Sequence, residues 1–434
     1  MRRNRLDDFG FCSVRTKLRQ SATHGLILLF CALLLIGAGL LINSFLRLYA
    51  VNPGFDTSNL ISLQTQLTGD RFIRDTGRPT STGSPETEIT ELLFQETERM
   101  RERMAAIPGV QSVMMESANV PLSGFAGRLT FSLAGKPASQ AEQEAQSAEW
   151  YLVSPRYFET LKVPVIRGRE FAEQDSRAGL AVVVINSTMA KRFWPNEDPM
   201  GRQIQLAYLN DPPRQIVGIV GDVRQNSRQE DAQPQMYVPF AQLPQFTQKV
   251  QSYGLEAVTF VVRSTGNPEL LTQSLRSAVT DVDANQPVSN IRTIEWYQAS
   301  QMEGFRQYVI MLGVFGAVAL ILAVIGIYGI MAHSVVQRTG EIGIRMALGA
   351  RPTQVLQLIL RRGMVLIAIG LAIGVGVSLA LTKVIAGLLW GVTATDPLTF
   401  ALVVGGLAVV ALVACYVPAR RALKVDPVIA LRYE

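Results

Sequence analysis

Four long apolar runs, unevenly placed, organise the chain: GLILLFCALLLIGAGLLINSFL at 25–46, MLGVFGAVALILAVIGIYGIMA at 311–332, GMVLIAIGLAIGVGVSLALTKVIAGLLW at 363–390 and FALVVGGLAVVALVACYV at 400–417. Each approaches or exceeds the roughly 20 residues that an α-helix, rising about 1.5 Å per residue, needs to cross a hydrocarbon core of about 30 Å. The pattern predicts transmembrane helices over 25–49, 307–334, 363–390 and 400–418. The first run is too long for the apolar core of a secretory signal, and no small-x-small cleavage pattern follows it, so it reads as an uncleaved anchor. Lys383 is the one strongly charged residue inside a run, near its outer end, where a long stem lets the ammonium reach the interface. Gly370 and Gly374 stand at G-x-x-x-G spacing, and Gly313, Gly316, Gly326 and Gly329 supply further small positions for close helix contact.

Between the first two runs the pattern changes. SNLISLQTQLT at 58–68 alternates as a strand does. A helix is predicted next, with Ser84 as its N-cap, Pro85 in its first turn and Pro108-Gly109 as its stop. Its apolar face runs Ile89, Leu92, Leu93, Met100 and Met104 at helical spacing, and a strand at 110–116 follows. The same order returns much later as a strand at 257–264, a helix at 267–282 and a strand at 287–294. Two β-α-β units so far apart predict a split α+β domain over 50–306, with a second subdomain inserted at about 140–245. Short strands, one or two short helices and many turns fill the insertion, while 70–85 reads as a polar loop.

Charge fixes the orientation. Arg2, Arg3, Arg5, Arg15, Lys17 and Arg19 precede the first run, and Arg338, Arg345, Arg351, Arg361 and Arg362 separate the second from the third. Arg420, Arg421, Lys424 and Arg432 follow the fourth, whereas 391–399 has neither Lys nor Arg. The positive-inside bias places the 1–24 tail, the 335–362 loop and the 419–434 tail in the cytoplasm, and 50–306 and the 391–399 connection outside it. The net charge of +6 therefore reads as membrane topology and contact with lipid, not as nucleic-acid affinity. Cys31 and Cys415 lie in apolar runs and Cys12 in the basic tail, so the outer domain is expected to hold together without disulfides.

The sequence offers little for covalent chemistry. His24 and His333 flank apolar runs, too few and too far apart for a histidine metal site or a Ser-His-Asp triad in the outer domain. No G-x-x-x-x-G-K-[ST] occurs, and GIVGDV at 218–223 reads as a turn between buried strands. DVDANQPVSNIR at 281–292 begins like a calcium loop, but Gln286 stands where glycine is required and Arg292 where a bidentate glutamate is. SPRYF and KRFW pair basic and aromatic residues in a way that reads as surface packing. No enzyme activity, cofactor or metal is expected of the chain itself.

One stretch carries a sharper signal. VVQRTGEIGIRMALGARP, 335–352, is too charged for lipid and too apolar for an idle linker. On a helix, at about 100° per residue, Arg338, Glu341 and Arg345 form one narrow stripe, and Ile342, Ile344, Met346 and Leu348 take the remaining arc. Glu341 precedes Arg345 by four, the favourable order for an ion pair. Such a helix either lies on the lipid surface or fills a groove on a cytoplasmic protein. Gly340, Gly343 and Gly349 each cost about 1 kcal/mol in an unassisted helix and are better explained by a groove that the backbone approaches closely.

QRTGEIGIRMALGARPTQV resembles the cytoplasmic loop of the MacB/FtsX superfamily of ABC-transporter permeases, and PARRALKVDPVIALRYE resembles its closing segment. VSPRYFETLKVPVIRGREF, VVVINSTMAKRFWPNEDPMGRQI and IVGIVGDVR are similar to the MacB-type periplasmic core domain. The likeness runs in matching order over nearly all of the chain from residue 25 and is nearest to the acidobacterial-type permeases, which often carry two such halves where this chain carries one. It implies an α-helical protein of the bacterial inner membrane with four transmembrane helices and a large two-lobed α+β periplasmic domain between the first and second. It implies a coupling helix, mapped onto Arg338, Glu341, Ile342, Gly343, Arg345, Leu348 and Gly349, that docks on an ABC ATPase. Only residues 1–24 precede the first run, so that ATPase is expected in trans. It also implies a dimer with a second copy or homologous half, and a periplasmic adaptor and outer-membrane channel as further partners. The function implied is that of an exporter's permease subunit working by mechanotransmission. The alternatives are an FtsX-like signalling subunit that controls a cell-wall hydrolase, a lipoprotein-release permease, and a membrane-anchored binding protein without an ATPase.

Overall fold

The structure, a computed structural model, describes residues 29–67, 69–79, 85–117, 121–122, 127–133, 146–206, 212–225, 231–243, 246–248, 257–336, 344, 351–385, 391–393 and 395–422. The chain divides into two units, Val51–Glu303 on one side and Met1–Ala50 with Gly304–Glu434 on the other. Its elements begin with α1 (Leu29–Tyr49), β1 (Leu60–Thr65), β2 (Ile73–Pro79), β3 (Pro85–Ile89), α2 (Glu91–Ala105), β4 (Val110–Ser117), β5 (Arg128–Leu133) and β6 (Ser147–Val153). There follow α3 (Tyr157–Leu161), β7 (Val165–Gly168), β8 (Val182–Asn186), α4 (Ser187–Phe193), β9 (Gln203–Leu206), β10 (Arg214–Val220), β11 (Gln235–Pro239) and β12 (Phe246–Gln248). The last are β13 (Val258–Ser264), α5 (Thr272–Thr280), β14 (Val288–Thr293), α6 (Ile294–Val336), α7 (Pro352–Ile385) and α8 (Pro397–Ala422).

Within Val51–Glu303 the two expected β-α-β units form one lobe. Its strands lie in the order β4-β13-β1-β14, each antiparallel to its neighbour. The central strands are buried on both faces: all of β13 is buried, and so are Leu60, Ile61 and Leu63 of β1. That composition suits a strand covered on both sides. One face takes Leu93, Met100 and Met104 of α2 and Leu275 and Val279 of α5, against Ile61, Leu63, Val113 and Met115. The other takes α3, whose Tyr157, Phe158 and Leu161 pack on Leu60, Met114 and Val261.

The inserted segment builds a second lobe. β6, β11, β8, β10, β9 and β5 pair in succession, and β5 returns to β6, which closes a ring of strands. Closure removes the exposed edges that an open sheet would carry. Alternate residues (Trp150 and Leu152, Val183 and Ile185, Met236 and Val238, with Phe131, Ile204 and Ile216) join the same core as α2. Their neighbours Tyr151, Val153, Val182, Val184 and Tyr237 face the core that holds α3. Among the described residues the two lobes are joined where Glu116 of β4 pairs with Val153 of β6, beside the Ser154 N–Met115 O hydrogen bond.

Two expectations fail here. Pro85 does not open a helix: Pro85–Ile89 is a strand paired with β2 on one side and β12 on the other, and the helix starts at Glu91 with Thr90 as its N-cap. β-Branched Thr87 and Ile89, spaced by two, fit an extended chain better than a first helical turn. Ser84 lies outside the described residues. The supposed polar loop at 70–85 likewise contains β2, whose side chains are mostly exposed, so no apolar alternation announced it.

The membrane-facing unit packs α1, α6, α7 and α8 around one core. Cys31, Ala32, Ile36 and Leu40 of α1 meet Ala323 and Ile327 of α6, Ile367 and Leu371 of α7, and Leu407, Ala411 and Cys415 of α8. Three helical segments are long and apolar enough to cross a membrane: Leu29–Tyr49, Arg306–Gly329 and Pro397–Pro418. In α7 the apolar stretch among the described residues is Ile367–Thr382, short of crossing length, and 386–390 of the expected third span lie outside them. Of the expected contact glycines, Gly316 does bring helices close, since a Cβ there would stand 3.0 Å from Leu35. Gly313 and Gly329 face open space, and Gly39, not singled out by the sequence, lies where a Cβ would meet Thr399 at 2.9 Å.

Candidate functional site

Arg338, Glu341, Ile342, Gly343, Arg345, Leu348 and Gly349, the expected coupling residues, all lie outside the described residues. Ile344, in the same stretch but not one of these, is described, as helical and 51% exposed. The flanks are defined: α6 runs to Val336, and α7 starts at Pro352 behind Arg351, whose N–H donates to Gln354 Oε1 at 3.2 Å.

At the other end of the helical bundle a polar cluster joins α1 to the segment before α8. Asn43 Nδ2 donates to Asp396 Oδ2 (3.1 Å) and to Thr399 Oγ1 (3.3 Å). Asp396 caps α8, accepting from the N–H and the hydroxyl of Thr399 at 3.1 and 2.6 Å. One turn along α1, Arg47 Nη1 donates to the Gly391 carbonyl at 2.6 Å. The Thr399 hydrogen bonds and the Arg47 charge hold the Asp396 carboxyl below its ordinary range. This cluster ties α1 to the segment that opens α8.

In the outer unit the segment after α1 is stapled down at Asp56. Its carboxylate accepts from Lys162 Nζ (2.6 Å) and from the Ser58 hydroxyl (2.6 Å), with Arg263 Nη1 at 3.5 Å. Arg263, 3% exposed, also donates to the carbonyls of Thr160, Ser58 and Asp56 at 2.7–2.9 Å. Partial burial works to raise the Asp56 pKa, but the Lys162 and Ser58 hydrogen bonds and the Arg263 charge hold it far below the carboxylate range.

Where the lobes meet, polar side chains are buried in a hydrogen-bonded network. Gln225 Nε2 donates to the Tyr157 hydroxyl (3.1 Å), which donates to Glu116 Oε2 (3.1 Å). Alongside, Tyr151 (3.0 Å) and Gln235 Nε2 (3.1 Å) both donate to Glu149 Oε2, and Tyr237 donates to Gln235 Oε1 (3.1 Å). Asn186 closes the set: its Oδ1 accepts from Gln235 N and Met189 N, both at 2.9 Å, and so caps α4. Burial pushes the Glu116 carboxyl well above its ordinary range, and the Tyr157 hydrogen bond only partly opposes it. Burial also raises the phenols of Tyr151, Tyr157 and Tyr237. Tyr157 and Phe158 of SPRYF are therefore core, while Arg156 stays on the surface, and the network is not legible from the motif. Its available signal was a glutamate in step with apolar residues along a strand, as in VMMES and SAEWYLV.

On the α2 face of the same junction lies a cleft of about 400 Å³. Phe94, Thr97, Met115, Ser154 and Phe240 line it, with Glu91, Glu98, Arg101 and Glu173 at its charged margin. Asp283 of the rejected calcium loop accepts from Arg71 (2.6 Å) and Gln286 (2.7 Å). Among the described residues no three His, Cys, Asp or Glu side chains group as metal ligands.

A strand-rich unit set between the first and second of a group of membrane-length helices defines a membrane protein of the permease type. Residues 27–278 match the MacB-like periplasmic core domain, and residues 313–427 match the FtsX-like permease C-terminal domain. The chain belongs to the MacB/FtsX superfamily of ABC-transporter permeases. It is 30% identical over 311 residues to the macrolide export ATP-binding/permease protein MacB of Marinobacter nauticus, covering 70% of this chain and 46% of that protein. It is 28% identical to the pyoverdine export ATP-binding/permease protein PvdT of Pseudomonas syringae pv. syringae, over 62% of this chain and 40% of that one. The uncharacterized ABC transporter permease YknZ of Bacillus subtilis is 27% identical, over 77% of this chain and 83% of YknZ. The chain thus spans less than half the length of the MacB and PvdT relatives, whose names join an ATP-binding part to the permease.

Proposed function

We propose that the chain is the permease subunit of an ABC-type exporter, works as a dimer, and couples ATP hydrolysis by a separate ATPase to movement of its outer unit. In this reading α1, α6, α7 and α8 each cross the inner membrane, both ends of the chain are cytoplasmic, and Val51–Glu303 is periplasmic. The observation that carries the reading is α6, one unbroken helix from the end of β14 at Ile294 to Val336, where the charged segment begins. Its 43 residues correspond to about 65 Å of helix. Drawing two charged segments together on an ATPase dimer would move the periplasmic end of each such lever. No channel for cargo through lipid is required. The macrolide and pyoverdine named in its relatives suggest efflux of small molecules as the outcome.

The charged segment provides the test, with the full chain co-expressed with its proposed ABC ATPase partner. Glu341→Lys sets a like charge next to Arg338 and Arg345, at about 0.3–0.5 kcal/mol of helix stability. It also reverses the charge offered to the partner, about 2–5 kcal/mol where that contact is desolvated. The variant is expected to insert normally yet lose both ATPase association and permease-stimulated ATP turnover, and Ile342→Asp should do the same. A helix lying on anionic lipid predicts that Glu341→Lys is neutral or favourable. Full ATPase stimulation by Glu341→Lys would overturn the coupling role.

A further inference from the structure

We infer that the open groove along α2 is a binding site for a small amphiphilic cation, an apolar body that carries a protonated amine. Residues 91, 95, 98 and 102 recur at helical spacing, so one edge of α2 presents Glu91, Gln95, Glu98 and Glu102 in line. All four line the groove, and Glu173 and Ala241, from segments outside α2, help to complete it. Its deeper lining is apolar: Met115 and Phe240 are buried, and Phe94 stands beside Phe240 with ring centroids 5.3 Å apart. The hydroxyls at that depth are spent on the backbone. Thr97 donates to the Leu93 carbonyl (2.7 Å) and Ser154 to the Pro155 carbonyl (3.0 Å). At about 400 Å³ the groove is of a size that takes small molecules.

Charge selects the occupant. Near Glu91 the protein's own Arg177 shows how a cation is held: its guanidinium lies 4.4 Å from the Phe94 ring and 3.1 Å from the Glu91 carboxylate. An aromatic face and a carboxylate together make a favourable seat for such a group. Further along α2 negative charge is in excess. Arg101, 11% exposed, donates to Glu98 and, at 3.3 Å, to Glu173, and the charge of Glu102 acts on the same guanidinium. Three carboxylates thus share one cation beside an apolar surface. The other charges of the lining do not redress the balance, since Arg99 pairs with Glu96 (3.3 Å) and Asp175 with Arg169 (2.6 and 2.8 Å). Glu102 and Glu173 are exposed, so both can turn to a ligand's ammonium without stranding a buried charge. An anionic ligand of the same shape would meet repulsion from all three.

The site is a property of the outer unit and does not depend on the export reading, so its test needs no ATPase. A chain that binds the cation but exports nothing would count against that reading and leave the site standing. The full chain in detergent micelles is dialysed to equilibrium against naphthylmethylamine, and separately against naphthylacetate, which has the same aromatic body and the opposite charge. Uptake by protein-free micelles is subtracted. The amine should bind saturably and more tightly than the acetate. Glu102→Gln with Glu173→Gln should weaken the amine roughly 2- to 30-fold, the range for two exposed charge contacts, and narrow its margin over the acetate. Molar salt should weaken the amine on the parent and have less effect on the double variant. Ala241→Trp, at an exposed position of the lining, should block both ligands. Urea midpoints check that each variant folds, and Glu98→Gln replaces any charge variant that does not. No saturable binding above the micelles, equal affinity for amine and acetate, or amine binding that ignores both the charge variants and Ala241→Trp would overturn the assignment.

Discussion

Replacing Glu116 by Gln should make the outer unit more resistant to unfolding as pH rises, the reverse of what losing a buried charge usually does. Glu116 is 1% exposed and its carboxyl is pushed well above the ordinary value of 4.5, chiefly by burial. The folded chain therefore keeps the proton that the unfolded chain releases near pH 4.5. Native Glu116 contributes its full stability below that pH, and the contribution is lost as pH climbs toward the folded pKa. Within this window the folded state holds one more proton than the unfolded state. Stability then falls by about 1.4 kcal/mol for each pH unit. A glutamine keeps an acceptor for the Tyr157 hydroxyl and has nothing to ionise, so the Glu116→Gln variant lacks this slope. Glu170, also raised by burial, adds to the slope of both proteins alike and drops out of the comparison. Asp56 and Asp175, held low, lose their stabilising contribution only as pH falls, below the window. The assay is urea unfolding of the full chain in detergent between pH 5 and 8, followed by the fluorescence of Trp150 and Trp194, both 7% exposed. The midpoint difference between variant and parent should widen steadily with pH. Parallel pH dependences would show that Glu116 titrates normally and would refute the burial argument.

Two further outcomes follow from single positions. Gly54 has φ +93° and lies where a Cβ would stand 1.9 Å from the Asp222 carbonyl, so Gly54→Ala should cost about 2–5 kcal/mol, read as a lowered urea midpoint, and an unchanged midpoint would disprove the close approach. In sealed spheroplasts, a cysteine replacing Ser176 should react with a membrane-impermeant thiol reagent and one replacing Thr339 should not; equal labelling would defeat the proposed topology.

What the sequence disclosed and what it withheld divide along a physical line. Local patterns were legible. Apolar length marked the membrane-length segments of α1, α6 and α8, and alternation followed by helical spacing marked β1-α2-β4 and β13-α5-β14, because each signal is complete within a few residues of chain. Closure of the ring was not, since β6 and β11 pair across an interval that no local pattern encodes. β2 and β3 were misread for a related reason: β2 is mostly exposed, the buried positions of β3 (Thr87 and Ile89) are too few to stand out as alternation, and the register is set by partners such as Phe246 far along the chain. The candidate site shows the same division. The Arg338–Glu341–Arg345 stripe is a helix-surface pattern and can be read from sequence, although it lies outside the described residues. Glu116 and Tyr157 are 41 residues apart, and only the fold makes them partners. Each of the two looks ordinary alone, a charge at a strand end and an aromatic beside an arginine. Placed together where β4 meets β6, they make the stability of that junction depend on a proton.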